Sequence, residues 1–168
     1  MNRENINIAF LLIGLVLLQI VVLNNINFLG YINPFLYIIF IFLFPIKKID
    51  SSLILLSFFL GLAIDIFSNT GGINAFATLF IAYVRIPVLK SILGKREIDY
   101  SITSLFKLPF FRLFLYVVIL TFIHHFIVFG LEYLKWSNFG LILLKTFLTS
   151  IFTIILIMIS FTFISRKR

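Results

Sequence analysis

From Ile6 to Leu23 the chain runs for eighteen residues without a charged side chain, and stretches of similar length and apolarity recur to its end. A helix rises about 1.5 Å per residue, so about 20 such residues cross the hydrocarbon core of a bilayer. No water-soluble domain of 168 residues could hide a composition that is 62% hydrophobic with 23 phenylalanines, because a chain of that size leaves roughly a third of its unfolded surface exposed. The expected fold is an all-α membrane protein of six transmembrane helices, with spans at about 6–23, 28–46, 51–67, 72–93, 110–131 and 141–164 in a single integral-membrane domain over 1–168.

The first run ends in Asn24-Asn25 without a small-residue cleavage site and reads as a retained span. The second is short from Pro34 to Ile46, and residues 28–33 are needed to bring it to spanning length, with a break expected near Pro34 and a stop at Pro45. A polar turn of Ser68, Asn69, Thr70, Gly71 and Gly72 separates the third and fourth spans. Between Gly94 and Leu108, Ile98, Ile102, Leu105 and Phe106 recur at helical spacing, which suggests a short helix on the membrane surface.

The formal charge of +8 does not point to nucleic acid, because the basic residues sit in short clusters between apolar runs. With both termini cytoplasmic, Arg3, Lys47, Lys48, Lys90, Lys95, Arg96, Lys107, Arg112, Arg166, Lys167 and Arg168 fall inside, and Lys135 and Lys145 fall outside. An odd number of spans would spoil that division. The absence of cysteine removes disulfides and thiolate chemistry.

Asp65 is the acid set inside the apolar runs on either side of the polar turn, and a carboxylate there must face protein, water or a partner. Gly61 lies four residues earlier on the same helix face, where a missing side chain lets a neighbouring backbone approach. The favoured role for Asp65 is to hydrogen-bond the Ser68 to Asn74 turn and hold spans three and four together, ahead of a proton- or ion-carrying role. Asn74 reads as a cap for the fourth helix. Counting rise from the membrane surfaces places Arg85 roughly 8 Å below Asp65, which leaves two options: direct pairing, or the favoured one of snorkelling to the inner surface past Pro87.

His124-His125 point about 100° apart on a helix and make a poor metal pair. Glu132 and Lys135 read as an outer loop, and Lys145 as a snorkelling residue. The sequence holds no Gly-rich phosphate loop and no paired membrane aspartates. The expectation is a protein that is not an enzyme and needs no cofactor or metal.

The pattern Tyr31-Ile-Asn33-Pro34-Phe-Leu-Tyr37 with Phe44-Pro45, followed by Gly61-Leu-Ala-Ile-Asp65-Ile-Phe and Gly71-Gly72-Ile-Asn74-Ala75-Phe76, resembles the rod shape-determining protein MreD family. That resemblance implies a non-catalytic membrane component of the bacterial cell-elongation machinery in the inner membrane. Its implied partners are an MreC-like protein and, indirectly, MreB, RodA and a penicillin-binding transpeptidase. Pro34, Pro45, Gly61, Asp65 and Gly72 would be structural or interface positions, with Gly71, Asn74 and Arg85 as further candidates. The MreD family is similar in fold to the substrate-capture subunits of energy-coupling-factor vitamin transporters, which supply the alternative reading. Against it, the first span has only Ala9 where those subunits show alanines four apart, and the outer halves of the spans supply few polar groups beyond Asp65, Asn69 and Asn74.

Overall fold

The computed structural model describes residues 3–26, 32–46, 51–94, 105, 108–134 and 139–166. All its regular elements are helical: α1 (Arg3–Leu17), continued by a π-helical turn (Leu18–Val22) and a 3-10 turn (Leu23–Asn25); a 3-10 turn (Leu36–Ile38) leading into α2 (Ile39–Leu43); α3 (Ser51–Ser68); α4 (Ile73–Leu93); α5 (Phe110–Glu132); and α6 (Phe139–Arg166). Five stretches are long and apolar enough to cross a membrane: Ile6–Asn25, Ser51–Ser68, Ile73–Leu93, Phe110–Glu132 and Phe139–Ile164. The chain is a multi-pass membrane protein. Its outer surface carries Phe10, Phe59, Phe110, Phe147 and Phe163, all largely exposed, as a face turned to lipid requires.

Of the expected span at 28–46, residues 28–31 lie outside the described residues, and the described part, 32–46, is not one long helix. Its helical part is Leu36 to Leu43, which at about 1.5 Å per residue is about 12 Å, less than half the hydrocarbon thickness. Pro45 explains the second limit. A proline ring clashes with a preceding residue in helical geometry, and Phe44, just before Pro45, is extended at φ −68°, ψ 137°. At the other end Phe35 is also non-helical, at φ −100°, ψ 70°.

This interrupted segment runs through the middle of the molecule. Asn24 donates to the Ser68 hydroxyl at 3.0 Å, which brings the end of the first run beside the end of α3. Residues 47–50 alone separate Ile46 from the start of α3, so 32–46 passes from that end of the bundle to the opposite one. Tyr37, Ile38, Phe40 and Ile41 have no exposed surface. Around them pack Leu60 and Ile64 of α3, Ile81 of α4, Val117 and Leu120 of α5, and Ile157 of α6. Backbone that is not helical is tolerated at membrane depth only when protein surrounds it.

The hairpin between α3 and α4 is built by positive φ angles at Asn69 (54°), Gly71 (63°) and Gly72 (93°). The two glycines adopt that geometry without steric cost. The helices then cross closely at Gly61, where a Cβ would stand 2.5 Å from the Asn74 carbonyl oxygen and 2.6 Å from the Ala75 Cα. Helix α4 continues through Pro87 and ends at Gly94, φ 80°. On α6, Thr146, Thr149, Ser150 and Thr153 are buried in a stripe, the kind of small polar face that lets membrane helices approach. Of the connection from Gly94 to Leu108, residues 95–104, 106 and 107 lie outside the described residues, and so does the expected surface helix. Lys135 and Trp136 do too.

Gly61→Val should force α3 and α4 apart and cost about 1–3 kcal/mol or more through overpacking. Thermal unfolding in detergent should show a clearly lowered midpoint, whereas Gly14→Ala, with no neighbouring atom within 4 Å of the new Cβ, should leave it near wild type.

Candidate functional site

Interrupting a helix inside a bilayer frees backbone groups that water cannot reach, and each costs several kcal/mol if left unpaired. Three buried polar side chains, Gln19, Thr153 and Arg85, reach those groups. At the start of the interrupted segment Gln19, with no exposed surface, donates from Nε2 to the Pro34 carbonyl at 2.9 Å and to Asn24 Oδ1 at 2.8 Å. Its Oε1 accepts the Tyr37 amide at 3.4 Å. The Phe35 amide donates to the Thr153 hydroxyl of α6 at 3.1 Å.

That hydroxyl lies 3.1 Å from His125 Nε2, and His125 Nδ1 lies 2.7 Å from the Thr121 carbonyl. A carbonyl only accepts, so Nδ1 carries the proton and Nε2 receives the Thr153 O–H.

At the far end Arg85, 2% exposed, places Nη1 2.8 Å from the Ile41 carbonyl and 3.4 Å from that of Phe44, and Nη2 2.5 Å from that of Pro45. These are the last carbonyls of α2 and its extension, which carry the partial negative charge of a helix end. The planar guanidinium has five donors in a fork that reaches several acceptors together. Neither sequence-based option for Arg85 therefore describes its contacts. Asp65 is level with Asn74 and Ala75 at the start of α4, so Arg85 lies ten or eleven residues, about 15 Å, further along the helix axis. That is beyond the reach of an arginine side chain. Snorkelling fails too, because the side chain turns inward to the interrupted segment.

Asp65 receives four hydrogen bonds: from the Thr70 hydroxyl, from the Asn74 amide and Nδ2 at 3.0 Å each, and from the Ala75 amide at 2.8 Å. Two of these donors are orphan amides of the first turn of α4, where a negative charge is also favoured by the helix dipole. Asp65 thus caps α4 from the neighbouring helix. Asn74 does not cap it. The N-cap position is Gly72, which has no side chain, and Asn74 instead links Asp65 and Thr70 to the Tyr37 hydroxyl, which donates to its Oδ1 at 2.8 Å. Having given its proton there, Tyr37 accepts from His124 Nε2 at 3.0 Å. His124 Nδ1, buried, finds no partner among the described residues.

Pro34 and Pro45 join the same framework through their carbonyls, and Gly61 sits directly below the Asp65 contacts. Gly71 and Gly72 shape the turn. The two histidines bind different partners, and the described residues contain no group of three or more metal-ligating side chains.

Above this framework, at the end of the bundle where α3 and α5 finish and α4 and α6 begin, lies a cavity of about 420 Å³. Asn24, Asn25, Asn33, Ser68, Thr70, Asn74, Glu132 and Lys145 line it together with Phe35, Phe67 and Phe129. It is richer in polar groups than the spans suggested. The sequence reading gives Gln19, Tyr37 and Thr153 no role; Gln19 carries a signal as an amide deep in the first apolar run, and Tyr37 appears only as the last residue of the Tyr31–Tyr37 pattern. No protein-family model, curated protein or solved structure matches the chain.

Arg85→Met should leave three carbonyls unpaired, at about 1–3 kcal/mol for each buried unsatisfied group. The variant should lose most of its monodisperse peak on gel filtration in mild detergent. Arg85→Lys, which keeps the charge but not the fork, should recover part of it.

Proposed function

We propose that this protein is a non-catalytic membrane component of the bacterial cell-elongation complex, seated in the inner membrane with both termini in the cytoplasm. It supports lateral wall synthesis and cell shape by holding an MreC-like partner, and through it MreB, RodA and a penicillin-binding transpeptidase. A fold similar to that of the energy-coupling-factor substrate-capture subunits belongs to the same reading.

The observation that carries the proposal is where the residues of the MreD-like pattern sit. Pro34 and Pro45 bracket the interrupted segment, and Gly61, Asp65 and Gly72 form the joint between α3 and α4. Within the pattern, Asp65 accepts the backbone amides of Asn74 and Ala75, and Gly61 lets those residues approach. Such a joint makes a fixed platform, and the broad apolar faces of the helices are then available to other membrane spans. The sidedness is supported by Lys90 near the end of α4 and Arg112 near the start of α5, both at the end of the bundle opposite the cavity and the side assigned to the cytoplasm.

Depleting the protein in its native rod-shaped bacterium should make the cells round and swell. Unchanged shape together with lost vitamin uptake would favour a substrate-capture subunit instead. In Asp65→Asn an NH₂ group must face amides that need an acceptor, so the protein level, or recovery of the MreC-like partner by co-purification, should fall several-fold. Normal level, partner recovery and shape in that variant would remove Asp65 from the account.

A further inference from the structure

Two side chains of opposite charge, Glu132 and Lys145, line the cavity. Glu132 is the last residue of α5, where the terminal carbonyls already make the surroundings electronegative. A carboxylate at that end is unfavourable for the helix. Lys145 stands in the second turn of α6, toward the electropositive start of that helix. Both line the cavity, yet no ion pair between them is formed.

Lys145 gives one hydrogen bond to the Tyr133 hydroxyl and lies over the Tyr133 ring at 4.6 Å, so two of its three N–H donors remain for another acceptor. Phe35 and Phe129 add aromatic surface to the same lining. A volume of about 420 Å³ falls in the range of about 300–1,000 Å³ typical of small-molecule sites.

We infer that this cavity binds a small zwitterion, its ammonium on Glu132, its oxyanion on Lys145 and its apolar body against Phe35 and Phe129. Two sources share that chemistry: a free aromatic amino acid, and the headgroup of phosphatidylethanolamine. The inference does not depend on a role in cell elongation.

The test uses the full chain in nanodiscs of phosphatidylglycerol, titrated calorimetrically with L-phenylalanine, phenethylamine and 3-phenylpropanoate. Saturable binding of L-phenylalanine, at least tenfold tighter than either singly charged analogue, is expected. Glu132→Gln should abolish the preference over the carboxylate, and Lys145→Met the preference over the amine. If phosphatidylethanolamine is the source, native mass spectrometry from mixed-lipid nanodiscs should show it retained by wild type and lost from both variants. Glu132 is exposed, so its variant should fold even if Lys145→Met does not. Failure of the wild type to retain either probe, or equal binding by wild type and Glu132→Gln, would overturn the inference.

Discussion

Every backbone amide and carbonyl inside a bilayer must find a partner within the protein, and this fold is arranged around the one segment that cannot supply its own. An unbroken helix satisfies itself. Residues 32–46 do not form one: Phe35 is non-helical ahead of Leu36–Leu43, and Pro45 forces Phe44 out of helical geometry after it. The rest of the molecule responds in two ways. It buries the helical part from Leu36 to Phe42, and it directs Gln19, Thr153 and Arg85 onto the freed groups.

The same logic accounts for the two buried charges. Asp65 meets the amide-rich start of α4, and Arg85 meets the carbonyl-rich end of α2 and the chain just beyond it. Each therefore answers a helix end of opposite sign. A pair formed directly between them would have left both helix ends bare. Tyr37 ties the two arrangements together, since its hydroxyl bonds Asn74 beside Asp65 while its own backbone lies in the segment that Arg85 closes. Close approach at Gly61 is what brings the Asp65 carboxylate to the first turn of α4.

Much of this was legible in the sequence, and the failures have physical causes. The long spans follow from apolar length alone, and the α3–α4 hairpin follows from its glycines. In the segment before α3, the break expected near Pro34 and the stop at Pro45 match non-helical Phe35 and extended Phe44, whereas apolar length alone overstates the helix between them. Arg85 was placed by depth, which measures distance to the surface and says nothing of a carbonyl cluster on another segment. Asn74 has the side chain of a cap, but Asp65 reaches the same amides from across the helix pair. The cavity could not be read at all, because Asn24, Ser68, Glu132 and Lys145 come from separate helix ends that only the bundle brings together.

A membrane protein whose two buried charges and interrupted segment are held by one another's backbone groups is well suited to present fixed surfaces, and the proposed role rests on that rigidity. The most direct check is solid-state NMR in bilayers, with isotope-labelled guanidinium nitrogens on Arg85 and labelled carbonyl carbons at Ile41 and Pro45. Strong dipolar coupling between Arg85 and both carbonyls is the expected result. Coupling of Arg85 to lipid phosphorus or to the Asp65 carboxyl, with none to Ile41 or Pro45, would contradict the account.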